Sequence, residues 1–570
     1  MTTLGIDLGT TNSLIAVFSD DGPRVLTDTA GSRSVPSVVA IDDGGKLLVG
    51  AAARARAVYR PDDAVSRFKP YMGEEHGYRL GEHALGPVSL SALVLRELKA
   101  RAEEALGETI DEAVITVPAW FREPNRRATI EAARLAGLRV RHLLNEPTAA
   151  ALAYGVAQGD SEQAIAVLDL GGGTFDVTIL ELYDGMVDVR ASGGDVHLGG
   201  EDYTDVLLRH VLSGTTTDAL QTGAVRALVE RAKRQLSHEQ TVTVDLSTLG
   251  GPTVSVDRET YDRLCAPLNQ RLRRCVQEAL VQSGLRGPSI DHVLLVGGAV
   301  RMPAVAAIAE SLFGQPAKLA DDVDTLVARG AAVQAALLDK HAALRDVMVT
   351  DVLTHSLGVS VVQTWDGEHY EGRFMAVLSR GTTLPASRQE RLATLHPEQT
   401  TLVLQVFEGE HRLVEKNERI GTLEIQGLPK HPVQSGKTEA VDVRFSQDVS
   451  GLLQIDATVL STQQTKRLVL ERSSRPLQEG ERAQADRRLA AIAMHPREAQ
   501  ANRQLLEVAT SVMMVVPQAE RDTVDRYILA FESAMDKQVP NDIVEANALL
   551  TAVVRDLVNR HGLHDLVDVP

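Results

Sequence analysis

Over roughly its first 340 residues the chain alternates short apolar runs with stretches of helical period. Val114-Ile115-Thr116-Val117, Ile165-Ala166-Val167-Leu168 and Val293-Leu294-Leu295-Val296 are too short for helices and predict buried strands. Helical patterns follow several of them, for example from Asn125 to Leu135 and from Met302 to Leu312, so this part is predicted to be α/β. An alanine-rich helix is predicted from Thr325 to Leu344, and a short apolar strip, Val347-Met348-Val349-Thr350-Asp351, marks a change of texture. From about 352 to 470 the period falls to two, as in Thr400-Thr401-Leu402-Val403-Leu404-Gln405-Val406-Phe407, with Gly and Pro between runs. That predicts a β-sandwich or barrel. Helical period returns from about 475 to 563, with an apolar stripe through Leu505, Leu506, Val508 and Val512.

Composition narrows the classes. At 570 residues the chain has room for roughly three or four domains. Hydrophobic residues make up 44%, enough for packed cores and too many for general disorder. Lys and Arg number 59 against 77 Asp and Glu, a net charge of −18, which argues against a nucleic-acid binder. Aromatics, at 4%, speak against a base-stacking platform. The two cysteines, Cys265 and Cys275, exclude a disulfide scaffold, point to a reducing compartment and read as packing residues in a helical region interrupted by Pro267. Met1 to Asp7 lacks a basic region and reaches a carboxylate at once, so no signal peptide is expected. No apolar run approaches the roughly 18 residues that span a bilayer. A cytoplasmic protein without membrane partners is expected.

The strongest internal signal is a repeated loop. Asp7-Leu8-Gly9-Thr10-Thr11-Asn12 recurs about 160 residues on as Asp169-Leu170-Gly171-Gly172-Gly173-Thr174, each closing an apolar strand. A carboxylate at a strand end can organise a hydrated Mg²⁺, and glycines let backbone N–H groups wrap phosphate oxygens while threonine hydroxyls add donors. Two copies imply duplicated halves closing on one nucleotide. By contrast, Ser435-Gly436-Lys437-Thr438 only imitates the end of a P-loop. His431 takes its leading glycine position, and Glu439 to Phe445 alternates like a strand where a helix is required.

The sequence from Gly5 to Ser13 resembles a signature of the 70-kilodalton heat-shock chaperone (DnaK) family. So do Asn145-Glu146-Pro147-Thr148-Ala149-Ala150-Ala151, Leu168 to Asp176, His197-Leu198-Gly199-Gly200-Glu201-Asp202 and Leu295 to Pro303. Within the family the short C-terminal region is most similar to the HscC branch of bacterial members. The resemblance implies an actin-like ATPase domain at 1–344, a linker at 345–352, a β-sandwich peptide-binding domain at 353–472 and a helical lid at 473–570. It implies ATP and ADP with Mg²⁺ and K⁺. Lys69 would reach the γ-phosphate and attacking water. Glu146 would organise that water and the cation, and Asp7, Asp169 and Asp176 would hold the cation, largely through water. Gly9, Thr10, Thr11, Asn12, Gly171, Gly172, Gly173, Thr174, Gly199 and Gly200 would surround the phosphates. Glu230 and Lys233 would bind the ribose. Arg234, Ser237, Gly297, Gly298 and Arg301 would enclose the adenine, with Asp324 in support. Taken alone, Glu230, Lys233, Arg234 and Ser237 are one face of a helix and could equally be a solvated ion pair.

In the β region the resemblance implies that extended segments of unfolded polypeptide bind in a pocket and arch made by Val359, Val361, Val362, Leu392, Leu395, Leu402 and Leu404. Leu392 and Leu395 replace an aromatic and a small residue common in relatives. The helices would lie over this groove as a lid. Val347, Met348, Val349 and Asp351 would form an allosteric linker, a strip too short for its own core that gains by docking. A J-domain co-chaperone is an implied partner, though His142 stands where relatives carry a basic residue. A nucleotide exchange factor is less firmly implied, because the stretch between Ser237 and Val256 is short. The close of the chain, Asp565 to Pro570, lacks the Glu-Glu-Val-Asp ending, so a partner reading that tail is not expected. Two other functions share parts of this pattern: an actin-like sugar kinase, and a hydrolysis-poor, ATP-regulated adaptor for one client.

Overall fold

The computed structural model describes residues 2–158, 162–183, 186–213, 223–247, 251–319, 322, 324–344, 348–349, 351–365, 368–433, 437–447, 453–470, 497–537, 540–561 and 563. The first half of the N-terminal region is built on a six-stranded sheet. Its main path runs Arg139–Asn145, Glu112–Val117, Thr3–Asp7, Asn12–Ser19, Gly22–Val25, and Ser34–Pro36 also pairs with Asn12–Ser19. The second half repeats that order: Lys318–Leu319, His292–Val296, Gln163–Leu170, Phe175–Tyr183, Met186–Asp195. In both sheets the strand carrying the loop aspartate pairs in parallel on one side and antiparallel on the other. The duplication read from two short loops is therefore a duplication of topology.

Between the sheets lies the helix Leu326–Leu338. Its small side chains permit close packing on two fronts: Ala328 and Ala332 meet Leu14 and Ala16, while Ala331 and Ala335 join a core with Ala149 and Ala150. The helix is shorter than predicted. It stops at Leu338 because Lys340 takes a left-handed turn (φ 56°), and a single 3₁₀ turn, Ala342–Leu344, follows.

The linker segment Met348–Val349 hydrogen-bonds in parallel to Met186 and Val187 as the edge strand of the second sheet. Val347 and Thr350 lie outside the described residues. Beyond it two four-stranded antiparallel sheets face each other over a core that includes Val359, Leu404, Val406, Val443, Phe445 and Ile455. Ala440–Gln447 is one of these strands, which removes the helix a P-loop would need.

Helices Arg497–Val515, Gln518–Lys537 and Pro540–His561 form a bundle. The sequence reading laid them over the peptide groove. Their seam is instead closed by the N-terminal region: Leu505, Val508, Ala509 and Val512 pack with Ala55 of helix Ala51–Tyr59 in one core. An apolar stripe on a helix announces a buried face without naming the surface that covers it, and residues 473–496 lie outside the described set.

Candidate nucleotide site and its neighbours

Each half delivers its loop from the middle of its sheet. Asp7 ends Thr3–Asp7, Asp169 sits one residue before the end of Gln163–Leu170, and the two glycine-threonine loops meet face to face. Gly172 shows how closely: a methyl there would lie 1.8 Å from the Thr11 hydroxyl oxygen. Thr10 and Thr174 are buried at the same junction. The Gly200 N–H donates to the Gly171 carbonyl at 2.9 Å, which brings the start of helix Gly200–Val211 against the second loop. The Gly200 and Glu201 N–H groups are spent on the Gly171 and Gly172 carbonyls, which fixes the second loop against the helix start, and the glycines let backbone approach a ligand closely. Thr11 Oγ1, Asn12 Oδ1 and Asp176 Oδ1 are buried with no hydrogen-bond partner in the protein. Buried polar atoms left without partners are costly, and a polar ligand in the cleft would satisfy them.

Lys69 and Glu146 come from the first half. Arg67 takes a left-handed backbone (φ 60°), uncommon for a side chain of this size, and the next residues form the 3₁₀ turn Lys69–Tyr71. The turn carries Lys69 inward, where it is 3% exposed and pairs with Glu146 at the start of helix Glu146–Gln158. Asp7, Asp169 and Asp176 complete the cluster. Burial, and then the charge of Glu146, push Asp7 up to about 7, opposed by Lys69 and by a hydrogen bond from the Thr116 hydroxyl (3.1 Å). The same two causes hold Asp169 and Asp176 well above the usual carboxylate range, and the backbone N–H groups of Trp120 and Ala119 moderate Asp176. Four carboxylates around one ammonium favour an added cation. Among the described residues no three or more His, Cys, Asp or Glu converge to cage a metal directly. A cation here would be held through its own water shell, which Mg²⁺ keeps readily.

The adenosine-side residues are also gathered. On helix Gly223–Gln235, Glu230 accepts from Lys233 at 2.7 Å and Arg234 at 3.0 Å. Burial alone would raise Glu230, but those two cations and the Thr204 hydroxyl hold it below its ordinary value. Lys233, nearly buried, also reaches the Gly200 carbonyl at 2.8 Å, tying this helix to the phosphate loops. Ser237 follows in the turn that ends the helix. Gly297 and the 3₁₀ turn Gly298–Arg301 follow strand His292–Val296, and Arg301 bonds Asp324 at 3.0 Å with both side chains about half exposed. In this structure Arg301 is held by a carboxylate.

The seven proposed peptide contacts differ widely in exposure. Val359 and Leu404 are 0% and 1% exposed and close the sandwich core. Val361, Leu392 and Leu402 are partly buried against that core, Val362 is half-buried, and Leu395 is 45% exposed in the loop after strand Ala386–Ala393. Val359 with Val361, and Leu402 with Leu404, are two apart and share the inner face, so within each pair exposure grades along the strand, while alternation accounts only for Val362.

Sequence reasoning named Asp351 as part of the linker but gave no joining role to the residues that meet it and its neighbours. Asn145 accepts from Arg126 at 2.6 Å and donates to linker Asp351 at 2.8 Å, immediately before Glu146 in the chain. Glu408 of the sandwich accepts from the Glu123 N–H at 2.9 Å. The Trp120 ring meets the His355 ring at a tilt of 50° (centroids 4.5 Å apart) and lies under the Arg380 guanidinium (4.4 Å), and Arg380 also donates to the Ser192 carbonyl at 3.2 Å. Thr116 was the one residue with a visible signal, a lone hydroxyl in the otherwise apolar run Val114 to Val117. A family model described as Hsp70 protein matches the chain over residues 3–83 and 75–558.

Proposed function

The chain belongs to the Hsp70 family, whose members are ATP-dependent chaperones, and we propose that it couples ATP hydrolysis to the binding and release of extended hydrophobic segments. The observation that carries this reading is the continuous chain of contacts from the Lys69–Glu146 pair through Asn145 and Asp351 into the sandwich. It gives the carboxylate cluster and the β region a shared element that both can bias.

In this reading Lys69, buried and aimed into the cluster, neutralises charge at the γ-phosphate, while Glu146 orients water and holds the Lys69 ammonium in place. Mg²⁺, when bound, supplies the positive charge that the four carboxylates lack. Potassium is proposed at the same carboxylates. Glu230 and Lys233 bind the ribose, and the turn Gly298–Arg301 borders the base. The actin-like arrangement of the first 344 residues, the HscC likeness, and a J-domain partner acting where His142 stands belong to the same proposal.

The test is product analysis on the full chain with and without an unfolded peptide. The reading predicts ADP and phosphate, released slowly and faster with peptide, and none of this stimulation in Lys69→Ala. A phosphorylated sugar as product would replace it with the kinase reading. Tight ATP binding without turnover would replace it with the adaptor reading.

A further inference from the structure

The helical bundle touches both halves of the N-terminal region. Its first arm grips the first half: the Ser511 hydroxyl donates to the Ala55 carbonyl, Glu507 lies 3.5 Å from Arg56, and Tyr59 donates to Glu507. Ala55 is part of the bundle's own core. Its second arm reaches the other half, where Arg231 donates to the His561 carbonyl at 3.1 Å and Ala227 packs against the same core. The two halves abut directly beneath it, for a methyl on Gly223 would lie 1.9 Å from the Ala57 carbonyl oxygen. The second arm holds the helix Gly223–Gln235, and Arg231 is the immediate neighbour of Glu230. Any motion that opens the cleft by parting helices Ala51–Tyr59 and Gly223–Gln235 must therefore release one arm.

We propose that the bundle is a clasp across the nucleotide cleft: seated on both halves, it retains nucleotide, and its release is a step in exchange. The inference rests on the nucleotide reading above. It gives the bundle a role within the chain that does not require it to cover the peptide groove. Cys265, Cys275 and the peptide residues play no part in it.

A clasp needs both arms, so cutting either should have the same effect and cutting both should add nothing. The experiment follows release of a fluorescent ADP analogue from the full chain after mixing with excess ATP. Arg231→Ala and Glu507→Gln are each expected to speed release about tenfold, the scale of one lost hydrogen bond to a charged group. The double variant should match the faster single, and Arg231→Lys should restore much of the slow rate. Unchanged thermal midpoints in the partly exposed Arg231 variants separate an opened clasp from a damaged fold. Release at the wild-type rate from Arg231→Ala, with analogue bound normally, overturns the clasp and leaves the nucleotide reading standing. Failure of the wild type to bind the analogue overturns both.

Discussion

The candidate nucleotide cleft and the proposed peptide groove of the sandwich are built by opposite means. The cleft gathers charge: four carboxylates, a buried ammonium and unpartnered hydroxyl and amide oxygens meet where two sheets converge. Burial of that kind is unfavourable unless a ligand answers it, so the cleft stands out from its surroundings. The groove gathers apolar side chains, and those nominated for binding grade without a break into ordinary core, from Leu395 at 45% exposure to Val359 at 0%. A polar site declares itself by its cost; an apolar one is told from core only by exposure.

The largest effect that would break this contrast is at Lys69. Lys69→Ala should lower single-turnover hydrolysis by about 10²–10³-fold, the usual loss when a preorganised charge is removed, while nucleotide binding persists. A loss of only a few-fold would mean that the cluster is not the reacting centre. Next is Leu404→Ala, expected to destabilise the sandwich by about 2–5 kcal/mol in chemical denaturation, because Leu404 is closed core. If it weakened peptide binding without changing stability, Leu404 would act as a peptide contact and not as core.

Third is the pH dependence of docking. Burial, and then the charges of Arg122, Arg380 and Arg126, push His355 down to about 3 from 6.5, with Glu408 Oε1 3.9 Å away as the facing carboxylate. The docked state thus prefers neutral His355. Wherever undocking restores the ordinary value, docking is fully favoured above about pH 6.5 and weakens as pH falls towards 3, by up to about tenfold per unit. Trp120 fluorescence reads the change, and Trp365→Phe leaves Trp120 as the sole tryptophan reporter. Docking that strengthens on acidification, or a dependence that survives His355→Phe, would contradict this. The smallest effect is Leu395→Ala, within about 0.5 kcal/mol in stability, as for most surface changes, but with weaker peptide binding.

What the sequence disclosed follows the same contrast. The paired Asp-Leu-Gly loops were legible because glycines and a carboxylate at a strand end form a local pattern, and its repetition exposed the duplicated sheets. Glu230 and Lys233 were legible as one helical face, though their roles came only through resemblance. Trp120, His355 and Arg380 were not legible, since they meet only after more than 200 residues of intervening chain fold between Trp120 and His355. The bundle was legible as amphipathic helices, but a stripe carries no address, so its seat on Ala55 had to be seen.

The central claim is that cleft and groove act as one device. The most direct test is the dissociation rate of a bound fluorescent peptide from the full chain, measured before and after addition of ATP and Mg²⁺. The account predicts accelerated release on ATP addition in the wild type. It also predicts much weaker acceleration in Asp351→Ala, which loses the Asn145 hydrogen bond while leaving every proposed nucleotide contact intact. Peptide release that is indifferent to ATP in the wild type would contradict it.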